Sequence, residues 1–125
     1  MRQTYKDLNV YKKSDTLVLD MYQITNKLPI EERFGLISQI KRASLSIPLN
    51  IAEGYGKRSS TMEFKRYLAM AKGSCNELQV LLDLCNDLEY ISQEEHKTIS
   101  ERYDEVGKML YGMLEKWNKP SGEKD

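Results

Sequence analysis

Between Gln39 and Gly56 the chain reads QIKRASLSIPLNIAEGYG, an apolar-periodic run with a proline at its centre. Ile40, Ala43, Ile47 and Asn50 follow one another at steps of three or four, the spacing of one helix face. Pro48 lacks a backbone donor and its ring crowds the carbonyl of Ser44, so the helix is expected to bend without ending. Such a bend costs ~3 kcal/mol unless packing offsets it. Ser44 and Ser46 flank the proline and can bond groups freed there. A run of this length and phase needs long apolar partners, and the rest of the chain must supply them.

It does so in three more amphipathic segments. A first helix is expected over about Asn9–Lys27, with Val10, Leu17, Met21, Ile24 and Leu28 in a heptad-like rhythm and Ser14 in the one polar slot. Leu28-Pro29 ends it, because a residue before proline avoids the α region. The second helix should then start at Pro29, with Glu31 and Glu32 at the positive end of its dipole. It would run to about Tyr55, roughly 40 Å at 1.5 Å per residue, and stop at Gly54 and Gly56.

Ser60 and Glu63 have the spacing of a capping box, as do Ser92 and Glu95. The third helix carries the most regular heptad: Phe64, Leu68, Ala71, Cys75, Leu78, Leu82, Cys85. A second stripe beside it holds Tyr67, Met70, Leu81, Leu84 and Leu88, more apolar arc than one covered side requires. Part of it, or the flank at Leu45 and Leu49, is expected to meet another copy of the chain. The fourth helix follows with Ile99, Tyr103, Val106, Leu110, Met113 and Trp117. Short loops between four such helices predict an all-α, antiparallel up-down-up-down four-helix bundle over 1–118. Residues 119–125 read as a polar tail.

With 40% hydrophobic and 30% charged residues, the chain can bury a core and is not of disordered composition. No run approaches the roughly 18 apolar residues of a membrane span. The opening MRQTYKDLNVYKK is charged from its second residue and unlike a secretory signal, so a cytoplasmic protein is expected. Cys75 and Cys85 sit in core heptad slots and read as reduced, packed thiols.

Catalytic chemistry has little to work with. His96 is the sole histidine, so triads, histidine-rich metal sites and di-iron centres built on Glu-x-x-His lack their parts. No arginine stands four to six residues before it, as one class of helical ribonucleases requires. Gly54-Tyr55-Gly56-Lys57-Arg58 follows a helix and is no phosphate loop. No catalytic residue, no metal and no cofactor is therefore expected. Ser46, Asn50, Glu53 and Glu77 are assigned to a structural polar network around Pro48. An acid–base pair of Glu53 and Glu77 is the enzymatic alternative.

Net charge is zero, but its distribution is uneven. Residues 41–73 hold seven basic groups (Lys41, Arg42, Lys57, Arg58, Lys65, Arg66, Lys72) against two acidic ones, a local charge of +5. Residues 77–105 hold nine acidic groups against two basic ones, or −7. The basic set, interleaved with Tyr55 and Tyr67, suits a phosphate backbone with stacking surfaces beside it. Contact between basic and acidic faces of neighbouring subunits is the alternative use.

The run QIKRASLSIPLNIAEGYGKRS, with YKDLNVYKKS before it and Gly73-Ser74-x-x-Glu77-Leu78 after it, resembles a bacterial family. These are the four-helix-bundle proteins encoded in intervening sequences of 23S ribosomal RNA genes, often labelled S23 ribosomal proteins. The resemblance covers roughly Tyr5 to Trp117. It implies a bundle assembled into a ring-shaped homo-oligomer, a pentamer, with no enzymatic activity. The chain is also similar to the accessory proteins of diversity-generating retroelements, which engage nucleic acid through basic surfaces. Leu88-Glu89-Tyr90-Ile91 lacks the glycine often seen in the family's third turn. Residues and resemblance together suggest an RNA-binding or other nucleic-acid-binding oligomer. The seven basic residues are its expected phosphate contacts, and a protein-interaction scaffold is the rival.

Overall fold

The computed structural model describes residues 2–118; the expected tail at 119–125 and the side chain of Trp117 lie outside them. Four helices make the molecule: α1 (Asn9–Thr25), α2 (Leu36–Gly56), α3 (Thr61–Asp87) and α4 (Gln93–Asn118). Each packs on its neighbour in the chain, and α1 closes against α4. With connections this short, neighbours in a bundle run antiparallel.

The heptads explain the core. All seven positions of the α3 seam are buried, with Leu68, Ala71, Leu78, Leu82 and Cys85 wholly so. They meet Ile40, Ala43, Ile47 and Ile51 of α2, Met21 and Leu17 of α1, and Tyr103, Val106 and Leu110 of α4. Each fully buried large aliphatic group contributes roughly 1.5–3 kcal/mol. Ser14, in the polar slot of α1, is buried and donates to the Tyr11 carbonyl at 3.0 Å. The α1–α4 seam is more polar: Lys13 meets Glu105 at 2.6 Å, Arg102 meets Asp20 at 3.1 Å, and Lys27 pairs with Glu95.

Helix α2 crosses Pro48 without a break, and Pro48 itself is buried. Ser44 turns its hydroxyl back to the Lys41 carbonyl at 3.0 Å. The start of α2 differs from the expectation. Pro29 leads only a single 3-10 turn, Ile30–Glu32, and the α-helix begins at Leu36. Two residues cause the delay. Gly35 adopts a non-helical ψ of −110°, and the Glu32 carboxylate takes the Leu36 N–H at 3.3 Å, where a helix would use a carbonyl. A Cβ on Gly35 would lie 2.8 Å from that Glu32 oxygen, so a side chain there would displace the carboxylate. Tyr90, from the α3–α4 turn, donates to the other Glu32 oxygen at 3.1 Å and holds it in place. At 21 residues α2 is about 32 Å long, not 40.

The capping boxes divide. Ser92 and Glu95 make both bonds, at 3.0 and 3.2 Å. Ser60 accepts from the Glu63 N–H at 3.2 Å, but the Glu63 carboxylate turns to Arg66. A further box, Thr4 with Asp7, ties down the N-terminal turn.

The third turn explains its missing glycine. The Tyr90 N–H reaches the Cys85 carbonyl at 2.9 Å and the Glu89 N–H reaches Asn86 at 3.0 Å, the two bonds of a Schellman motif. Its left-handed position falls on Glu89, at φ 61°. A non-glycine residue there is strained by roughly 1 kcal/mol. Glu89→Gly is therefore expected to raise the unfolding free energy by about 0.5–1 kcal/mol in a denaturant titration. A loss of stability would mean that the side chain compensates for its backbone.

Candidate nucleic-acid interface

The α2–α3 corner is shaped by one close approach. Gly54, buried in the last turn of α2, faces the first turns of α3, where an added Cβ would stand 2.8 Å from Tyr67 Cβ and 3.3 Å from Phe64 Cδ1. That contact brings the polypeptide round through Lys57–Ser60, whose N–H groups at Lys57 and Ser60 bond the Gly54 and Lys57 carbonyls at 3.0 Å. The side chains of the turn and the start of α3 then gather around two tyrosines.

Tyr67 is buried and has cations on it from both sides of the turn. Lys57 Nζ donates to its hydroxyl at 3.0 Å and lies 4.9 Å from the ring centroid; Arg66 Cζ lies at 4.6 Å. The bond to Tyr67 raises the Lys57 pKa, with Glu53, 3.8 Å away, adding to it. Arg66 is also held by two parallel bonds to Glu63, at 3.0 and 3.2 Å, which lower the pKa of that carboxyl. Tyr55 is half-buried. Arg58 lies over it at 3.9 Å and donates to its carbonyl at 2.8 Å.

Four of the seven candidate cations, Lys57, Arg58, Lys65 and Arg66, thus share this corner. Lys65 sits roughly 100° around α3 from Arg66, so the two occupy different flanks. Lys72 lies two turns farther along the Lys65 flank, beside Cys75, Asn76 and the α4 residues Asp104 and Lys108. Lys41 and Arg42 are elsewhere, sixteen residues up α2 from Lys57 and so about 24 Å away along its axis. Lys41 lies 4.8 Å from the Tyr22 ring on α1, and Arg42 pairs with Glu77 across the α2–α3 groove.

The residues assigned to a polar network also separate. Asn50 donates to the Ser46 carbonyl and hydroxyl at 2.8 and 2.9 Å, and Ser46 bonds Ser74 of α3 at 2.8 Å. Glu53 is exposed beside Lys57, and Glu77 is engaged by Arg42. The two carboxylates therefore have different cationic partners. Ser74, the α3 half of the inter-helix contact, is absent from the network expected from sequence; its signals are its place beside the core position Cys75 and in the Gly73-Ser74-x-x-Glu77-Leu78 stretch. The Glu63–Arg66 and Tyr55–Arg58 pairs were legible in principle, both being three residues apart on a helix or its end.

Among the described residues no group of three or more metal-ligating side chains converges, and no helix is long and apolar enough to cross a membrane. Cys75 and Cys85 are buried, and burial pushes their thiols up to about 12 and about 11.

The sequence pattern of the family described as 23S rRNA-intervening sequence protein matches residues 6–112, from the N-terminal turn into the last turns of α4. The fold is similar to a crystal structure of a protein of unknown function, from the S23 ribosomal protein family of Bacteroides thetaiotaomicron. The two are 28% identical, the match covers 84% of this chain and 97% of that one, and the TM-score is 0.77. No curated protein matches the chain. On its sequence over 107 of 125 residues, and on its fold, the chain belongs to the family of 23S rRNA-intervening sequence proteins.

Proposed function

We propose that this chain is a non-enzymatic, cytoplasmic homo-oligomer that binds RNA through the α2–α3 corner. The observation carrying the reading is the gathering of Lys57, Arg58 and Arg66 on Tyr55 and Tyr67, with Lys65 on the adjoining flank of α3, at one corner of a molecule whose net charge is zero. Phosphate binding needs clustered cations and releases counterions. Catalysis has no comparable support, since Glu53 and Glu77 are engaged by different cations.

Self-association is supported by apolar surface. Met70, Leu84 and Leu88 of α3 are 45, 43 and 51% exposed, and Leu45 and Leu49 of α2 are 38 and 64% exposed. The other two members of the α3 stripe, Tyr67 and Leu81, are buried within the bundle itself. In a ring, which we take to be a pentamer, each corner recurs around the rim. Weak sites then act together on one strand through effective concentration.

The test is the salt dependence of RNA binding. Each phosphate contact on a single strand contributes about −0.7 to the slope of log K against log salt. Arg58→Glu with Lys65→Glu should flatten that slope by about 1.4 while leaving the circular dichroism spectrum unchanged. If wild type and double variant bind equally at low salt, the basic corner serves subunit contact and the scaffold reading replaces this one.

A further inference from the structure

We infer that the Arg58–Tyr55 pair is a base-stacking platform, so that the corner takes unpaired strands in preference to duplex. The inference rests on the nucleic-acid reading above. The two tyrosines of the corner differ in what they can accept. Tyr67 is buried, its hydroxyl is taken by Lys57, and Arg66 lies against its ring, so no base can reach it. Tyr55 is half-buried, and Arg58 lies over its ring.

The geometry of that neighbour is informative. Arg58 Cζ stands 3.9 Å from the Tyr55 centroid, against 4.6–4.9 Å for the other cation–ring pairs. At 3.9 Å a guanidinium fits over a ring only nearly flat, because an edge-on group needs more room. Its Nη1 donates to the Tyr55 carbonyl at 2.8 Å, which fixes the plane and uses one of five N–H groups. Arg58 is exposed, so the outer face of this plane meets solvent. Gly56, between Tyr55 and Lys57, is exposed, and a Cβ added there would meet no atom of another element within 4 Å.

A preformed flat cation with one free face and unused donors suits a nucleobase. Unpaired bases stack on arginine planes and aromatic rings, while paired bases present only their edges and backbone. The remaining N–H groups would meet the adjoining phosphate. The corner then reads the unpaired state without reading sequence, since every base has a flat face.

The test uses the full chain and three fluorescent RNA probes of equal length: a single strand, its duplex, and an abasic ribose-phosphate strand. Wild type should bind the single strand roughly tenfold more tightly than the abasic strand, the effect of stacking one base. Arg58→Lys keeps the charge and loses the plane, so it should abolish that preference while leaving the salt slope unchanged. Equal binding of single and abasic strands by wild type, with a normal salt slope, overturns the platform and leaves the phosphate reading intact. An undiminished preference in Arg58→Lys overturns it too. Absence of salt-dependent binding to all three probes removes the nucleic-acid reading, and the platform with it.

Discussion

Gly54→Val is expected to lower the unfolding free energy by about 3 kcal/mol, and Gly54→Ala by about 1–2 kcal/mol. Helix propensity alone predicts the opposite for alanine, a gain of about 0.5–1 kcal/mol over glycine. The new Cβ, however, would lie 2.8 Å from Tyr67 Cβ. That atom is fixed to the α3 backbone and cannot rotate away, so α2 and α3 must part where they pack against each other. Overpacking of this kind costs roughly 1–3 kcal/mol, and valine adds two more carbons to the same gap. Gly73→Ala is the control. It sits within α3 with nothing within 4 Å of its added Cβ, and should gain about 0.5–1 kcal/mol. Thermal melts would show Gly54→Val lower by roughly 10 °C and Gly73→Ala higher by a few degrees. Matching shifts at the two glycines would mean that no close approach exists at Gly54.

That contrast also marks how far pattern reading carries. Both Gly54 and Gly56 look like stop signals, and Gly56 does close α2. Gly54 is instead the point where two backbones come together, a property of the partner helix that no local pattern displays. The heptads were legible because a seam repeats: every α3 seam residue from Phe64 to Cys85 is buried. The start of α2 was not, because Pro29-x-Glu31-Glu32 is a normal helix opening. Its failure depends on Gly35 and on Tyr90, fifty-eight residues from the Glu32 it holds. The unusual turn at Glu89 was visible only as a missing glycine; the structure shows the residue in the conformation that glycine would favour.

Charges were easier to count than to place. Seven cations between Lys41 and Lys72 make one block in sequence, yet a helix of 21 residues spreads its two ends over about 30 Å. Lys41 and Arg42 therefore fall away from the corner, and Arg42 is engaged by Glu77. The same spreading divides the residues grouped around Pro48. Asn50 lies four residues after Ser46 and bonds it, whereas Glu53 has rotated out to solvent. The composition of the candidate site is legible in the residues; helix phase and the partner across each groove decide which members meet.

Alkali should unfold this protein from an unusually early point, and the two buried thiols are the reason. Cys75 is 2% exposed and Cys85 wholly buried, and burial raises their thiols from 9.0 to about 12 and about 11. A thiol whose folded pKa lies above its unfolded value contributes its full stability below pH 9, and that contribution is lost as pH rises toward the folded value. Between pH 9 and 10 the unfolded chain releases these two protons while the folded chain keeps them. Each thiol then costs ~1 kcal/mol, and the pair ~2 kcal/mol, a large share of a domain's net stability of about 5–15 kcal/mol. Above pH 10 Tyr103, whose phenol is also raised by burial, pulls in the same direction. Unfolding free energies measured in denaturant at pH 9 and pH 10 should therefore differ by about 2 kcal/mol in wild type. In Cys75→Ala with Cys85→Ala the difference should be about 2 kcal/mol smaller, leaving only the onset of the raised phenols such as Tyr103, even though the lost sulfurs lower stability at pH 7. Equal falls in the two proteins would show that the thiols ionise in place, and that the seam of α3 admits water at its two cysteines.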